Sequence, residues 1–162
     1  MADLLMKMPI PYEPKRTNRF IFRFRDELGI NEWTVKGGGR PKLTVGTNPI
    51  EFLNTEVYVA GSFKWEGISV TLRDPIGPST TQAVMEWARL CAESVTGRMG
   101  YAAGYKKTVD LEMLDPTGVV VEKWQLVGCF ITSVSHNELG YGAGNLVEIT
   151  LQLSLDRAIL LY

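Results

Sequence analysis

The chain holds a single histidine, His136, and two cysteines, Cys91 and Cys129. Any imidazole or thiolate chemistry must therefore be built from these three side chains. A zinc site of the Cys/His kind needs clustered ligands at short, regular spacing, and these three are scattered. Ser135 and His136 are adjacent, but neighbours along a strand point to opposite faces, and no Gly-x-Ser-x-Gly elbow occurs. Asp110 and Glu112 share one face of an alternating segment and offer the carboxylate pair of general acid–base catalysis; the plainer reading is an exposed polar strand face. Glycines cluster at 37–39, 97–104 and 140–144. A phosphate-binding loop needs a strand before it, a helix after it and a lysine at fixed spacing. The first cluster is followed instead by Arg40-Pro41-Lys42, cations suited to an anion or to a protein neighbour. No catalytic, metal-binding or cofactor-binding residue is assigned, no cofactor is expected, and the sequence points away from an enzyme.

The elements that carry these residues are those of one domain. The 162 residues are 45% hydrophobic and 22% charged, a globular composition. Seventeen basic against eighteen acidic residues leave a formal charge of −1, without the basic excess by which a domain grips phosphates. The start, Met1 to Met8, has no sustained apolar core and is followed by Pro9 and Pro11. It does not read as a signal peptide, no stretch has the length of a membrane span, and the product is expected to be made in the cytoplasm. Cys91 and Cys129 read as small buried apolar residues rather than a disulfide.

Residues 1–18 carry prolines and no periodicity and read as an extended arm. Phe20, Phe22 and Phe24 alternate with arginines, a strand signal, and Trp33–Val35 could add a second strand. Lys36–Pro49, with its glycines and prolines, reads as a long loop. Residues 50–59 and Trp65–Arg73 both alternate, and Ala60-Gly61-Ser62 between them suggests an antiparallel hairpin. A helix is expected over 79–96, with Ser79 or Thr80 as cap, Gln82 in the capping-box position relative to Ser79 and Gly97 as terminator. Val84, Trp87, Ala88, Cys91 and Val95 make its apolar stripe, with Val84, Trp87 and Cys91 as core anchors. Strands follow at residues 108–113, Val119–Val127, Phe130–Ser135 and Leu146–Leu155. The sum is a mainly β fold, an antiparallel sandwich or barrel of about seven or eight strands with one covering helix.

Strands with one apolar and one polar face leave edges that must be covered or paired. Copies that add strands edge to edge solve this by closing a ring, and a barrel of many strands has an open lumen. The competing reading is a monomeric sandwich that binds a ligand through Trp33, Trp65, Tyr101 and Tyr105.

The element order resembles the tail tube proteins of contractile-tailed bacteriophages, the T-even type among them. The similarity runs from about Asn18 to Leu155. It is carried by Val57-Tyr58-Val59-Ala60-Gly61 leading into Trp65–Thr71, then the Trp87 helix, and by the closing strand Leu146–Leu155. The resemblance implies a structural virion protein. Its six-membered rings would join their sheets into one large inner barrel and stack into a tube inside a sheath, a conduit for genome ejection. Assembly would take place in the host cytoplasm. Implied partners are copies of itself, the sheath protein, baseplate and tail terminator proteins, a tape measure protein inside during assembly, and DNA that passes without specific binding; no membrane is involved. Tubes of phage-derived injection or secretion systems, which deliver protein effectors, are the alternative. By the same analogy the tube domain is 19–156. Within it the loop 36–49, through Gly37, Gly38, Gly39, Arg40, Lys42 and Thr44, reaches the neighbouring ring. Asn54, Glu56, Ser69 and Thr71 face the lumen; the apolar tail 157–162, which the resemblance does not account for, is expected to pack on a neighbour. The triple glycine and that apolar tail depart from the family pattern.

Overall fold

The computed structural model describes Lys7 and residues 11–162. Residues 1–6 and 8–10 of the arm lie outside the described residues, and the arm from 11 onward is irregular until the first strand. Nine strands follow: β1 (Phe20–Arg23), β2 (Val35–Gly38), β3 (Lys42–Phe52), β4 (Thr55–Glu66), β5 (Ile68–Arg73), β6 (Lys107–Leu114), β7 (Val120–His136), β8 (Glu148–Ser154) and β9 (Arg157–Leu160). The main helix, α1 (Thr80–Cys91), lies between β5 and β6. No helix among the described residues is long and apolar enough to cross a membrane.

Seven strands form one antiparallel sheet in the order β1-β6-β7-β8-β5-β2, with β9 beside β7. β7 changes partners along its length. From Val120 to Cys129 it pairs with β6, with β9 alongside from Trp124 to Val127, and from Phe130 onward it pairs with β8. Gly128 sits at the change, with φ at +73° and the Asp156 side chain where a Cβ would project. Only glycine takes that conformation without strain. The two halves of the sheet share one core. Phe22, Val109, Leu111 and Leu126 come from one half; Val70, Leu72, Ile149, Leu151 and Leu153 from the other. Their alternation with polar neighbours is what the period of a strand demands. The fold is the expected mainly β, antiparallel architecture with a covering helix; β1 and β2 end the sheet and do not pair with each other, so it is not a closed barrel.

α1 closes the core. The Ser79 side chain accepts from the Gln82 amide at 3.5 Å, and Asp74 accepts from the Thr80 and Thr81 amides at 3.0 and 3.2 Å. Burial pushes the Asp74 carboxyl up, but hydrogen bonds from Thr81, Thr80 and Ser79 outweigh it and hold the group below its ordinary value. Trp87, 2% exposed, packs edge-on against Phe24 and donates to the Tyr105 carbonyl at 2.9 Å. Val84 is buried beside it, whereas Cys91, at the helix end, is only half-buried.

The structure corrects several element assignments. The helix stops at Cys91 because residues 92–99 form a tight turn, closed by Glu93 N–H to Arg98 O and by Gly97 N–H to Glu93 O; Val95 is exposed there and leaves the apolar stripe. Val119–Val127 and Phe130–Ser135 are one strand, because Gly128 bends the chain without ending the ladder. The tail 157–162 packs within its own subunit. Its Arg157–Leu160 pairs with β7, and Leu161 N–H and Tyr162 O extend the ladder to Lys123. Glu112 is not on an exposed face: it is buried between Arg23 at 2.8 Å and Lys123 at 3.3 Å. Burial raises its carboxyl pKa, and the two cations more than reverse that.

Candidate assembly surfaces

The segment expected as the loop 36–49 is strand for most of its length. β3 pairs with β4 from Lys42↔Glu66 to Phe52↔Thr55, forming a ribbon separate from the main sheet, with its turn at Leu53-Asn54. The expected hairpin of residues 50–59 with Trp65–Arg73 does not form. β4 runs straight through Ala60-Gly61-Ser62, and β5 pairs with β8 and β2 instead. Gly67 separates β4 from β5, and a Cβ on it would lie 2.8 Å from the Leu153 carbonyl. Pro49 is tolerated because a two-stranded ribbon consists only of edge strands. The β-branched run Thr44, Val45, Thr47 and Ile50 was the strand signal in a segment whose glycines and prolines suggested a loop.

Nearly every ribbon residue is exposed, on both faces. The register explains the odd pattern. Val45 faces Phe63, but Thr47 faces Ala60, so β4 carries one extra residue at Gly61-Ser62. Such a bulge moves the following side chains to the opposite face. Below it, Leu43, Val45, Phe63 and Trp65 share one face, opposite Lys42, Thr44, Lys64 and Glu66. Above it, Ile50, Phe52, Val57 and Val59 share the other face, opposite Glu51, Glu56 and Tyr58. Phe52 is 71% exposed and Leu53, at the turn, 88%. Large apolar side chains held out on a bare ribbon mark a surface that something covers.

The base of the ribbon is fixed by charge. Lys42 and Thr44 both reach Glu66, at 3.3 and 2.8 Å, and these contacts hold its carboxyl below the ordinary value. Gly37 and Gly38 belong to β2, and Gly39 N–H donates to Ser69 O at 2.9 Å. Gly38 lets the Phe22 ring lie against the backbone where a Cβ would project. Arg40 donates to Glu122 at 2.6 Å. Glu122, 6% exposed, also accepts from Lys15 of the arm and from Trp124 Nε1 at 2.6 Å. The Lys15 contact, assisted by Trp124 and Arg40, prevails over burial and holds the Glu122 carboxyl down at about 2. One buried carboxylate thus ties the arm and the ribbon root to β7. Sequence reading missed it, since no local pattern distinguishes Glu122 from a surface acid.

The remaining candidates divide between two places. Ser69 and Thr71 lie on the outer face of β5, paired with Gln152 and Thr150 of β8, which in turn face Ser133 and Ser135 of β7. This patch carries hydroxyls and one amide, and charges appear at its rim, where Lys36 meets Glu148 at 2.6 Å beside Arg73. Asn54 and Glu56 lie elsewhere, at the ribbon turn and on β4. The open edge of β7 beyond Phe130, and of β2, bound this patch. Of the four aromatics considered for ligand binding, Trp65 packs on Trp124 and Tyr105 on Phe130; Trp33 and Tyr101 stay exposed.

The fold is shared with chains of contractile injection machines. The anti-feeding prophage tube-terminating cap matches with a TM-score of 0.75 at 16% identity, over 99% of this chain and 98% of that one. A chain of the sheath–tube complex of an extracellular contractile injection system matches at 0.72 and 15%, over 93% of each chain. A chain of that system's sheath/tube terminator matches at 0.74 and 14%, over 95% and 100%. At these identities the likeness is one of fold. No family model matches the sequence, and no curated protein matches it.

Proposed function

We propose that this chain is a structural subunit that assembles into stacked six-membered rings, forming the inner tube of a contractile tail through which a genome passes. The observation that carries the reading is the ribbon, apolar and exposed on both faces, on a body whose buried core takes only Trp65, at the ribbon root, from it. Two-stranded ribbons are marginal alone, so packing against other copies supplies what the subunit does not. Lateral joining falls to the open edges of β7 and β2. It would turn the hydroxyl face of Ser69, Thr71, Thr150 and Gln152 toward a lumen, where a neutral wall does not hold a polyanion by counterion release. Sheath, baseplate, terminator and tape measure proteins are the partners such a tube requires.

A second reading, a tube that delivers protein effectors, is favoured by the kind of machine in which the matching chains occur. Negative-stain microscopy of the purified protein tests the assembly. Long tubes are expected; single rings that never stack would assign a capping position instead, and monomers at all concentrations would overturn the proposal. Cutting the loop 36–49, the obvious deletion from sequence, would unpair β2 from β5. Replacing 46–62 with a short turn removes the ribbon end alone and should abolish tubes while leaving the melting temperature nearly unchanged.

A further inference from the structure

Between the arm, β1, β2 and β6 lies a pocket of about 220 Å³ with Phe20, Phe22 and Met113 in its lining and Lys15, Arg16 and Arg40 beside them. Lys15 and Arg40 share one carboxylate, Glu122, and Arg16 has no ion-pair partner among the described residues. These four side chains therefore carry two positive charges in excess. The ribbon tip is its complement. Phe52 and Leu53 project there, and Glu51 sits directly opposite Glu56. Like charges facing across a ribbon repel, and neither carboxylate meets a cation among the described residues; the one polar contact is Tyr58 O–H to Glu56 at 2.9 Å.

We infer that the pocket is the receptor for the ribbon tip of a second copy, with Leu53 of the turn in the cavity and Glu51 and Glu56 against Lys15, Arg16 and Arg40. The volume suits the task, since an apolar cavity of about 150 Å³ accepts a benzene ring. A subunit does not fill its own pocket: Arg40 lines it and stands at the ribbon root, so a tip at the end of β3 is roughly 35 Å away. The contact is thus head-to-tail, the kind that propagates into rings or filaments. This deepens the tube reading and rests on it.

The test measures the protein concentration needed for assembly, by sedimentation and microscopy. Glu51→Lys with Glu56→Lys is expected to raise it at least about tenfold, as the loss of one favourable charged contact would. Arg16→Glu alone should also weaken assembly, and Glu56→Lys combined with Arg16→Glu in one chain should recover part of the loss. A mixture of Leu53→Cys protein with Thr17→Cys protein should form a mixed disulfide dimer on oxidation, beyond what wild type gives through Cys91. Tip variants that assemble like wild type, or Leu53→Cys pairing only with itself, would overturn the receptor assignment and leave the tube reading standing. Wild-type protein that never assembles would overturn both.

Discussion

The body and the ribbon obey different rules although both are antiparallel sheet. In β5 and β8 every second side chain is buried, and the register Val70↔Leu151 and Leu72↔Ile149 places apolar pairs in the core. In β3 and β4 the apolar side chains are just as large, yet Phe52, Val57 and Phe63 stay in solvent, and the bulge at Gly61-Ser62 moves the apolar stripe from one face to the other. Burial within the subunit explains the first pattern and leaves the second without a cause. Under the proposed assembly the chain encodes two interiors, one closed by folding and one to be closed by association.

This contrast can be broken by substitution. Trp87→Ala removes the helix's largest buried side chain and its bond to Tyr105 O, and should cost about 3–5 kcal/mol of folding stability in chemical denaturation. A loss below 1 kcal/mol would mean that the helix is not part of the core. Glu122→Gln weakens the clasp between arm, ribbon root and β7 and should cost about 1–3 kcal/mol. The pH dependence sharpens this expectation. Glu122 is held at about 2 against an ordinary 4.5, so its contribution is full above the ordinary value and is lost as pH falls from there toward 2. Wild type should lose more stability than Glu122→Gln over that interval, and parallel acid titrations would refute the clasp. Phe52→Ser, on the ribbon, should change the monomer's stability by no more than about 0.5 kcal/mol while impairing assembly. A large loss of monomer stability would place Phe52 in the folding core after all.

The body was legible in the sequence because alternation there is driven by burial inside one chain. Val147 to Leu155 and Val109 to Met113 read directly as strands, and Ser79, Gln82 and Trp87 marked the helix start and anchor. The ribbon was not legible. Gly46 and Pro49 look like loop residues until β4 is known to pair with them, and the apolar residues of Lys42–Phe52 change from odd positions, Leu43 and Val45, to even ones, Ile50 and Phe52, to match the bulge in β4, so no single alternation spans the strand. Gly128 misled for the same reason, since a glycine that bends a strand looks like one that ends it. Of the expected site residues, Ser69 and Thr71 lie together on the hydroxyl face, whereas Arg40, Lys42 and Thr44 turn out to fasten the ribbon root. Long-range partners such as Lys15 with Glu122, 107 positions apart, leave no local trace.

Hydrogen exchange on the dilute subunit and on assembled protein tests the division most directly. Amides of β5, β8 and the part of β7 through Leu126 should be protected in both states, while those of β3 and β4 above the bulge should exchange quickly in the subunit and become protected on assembly. Ribbon amides that exchange equally in both states would contradict it.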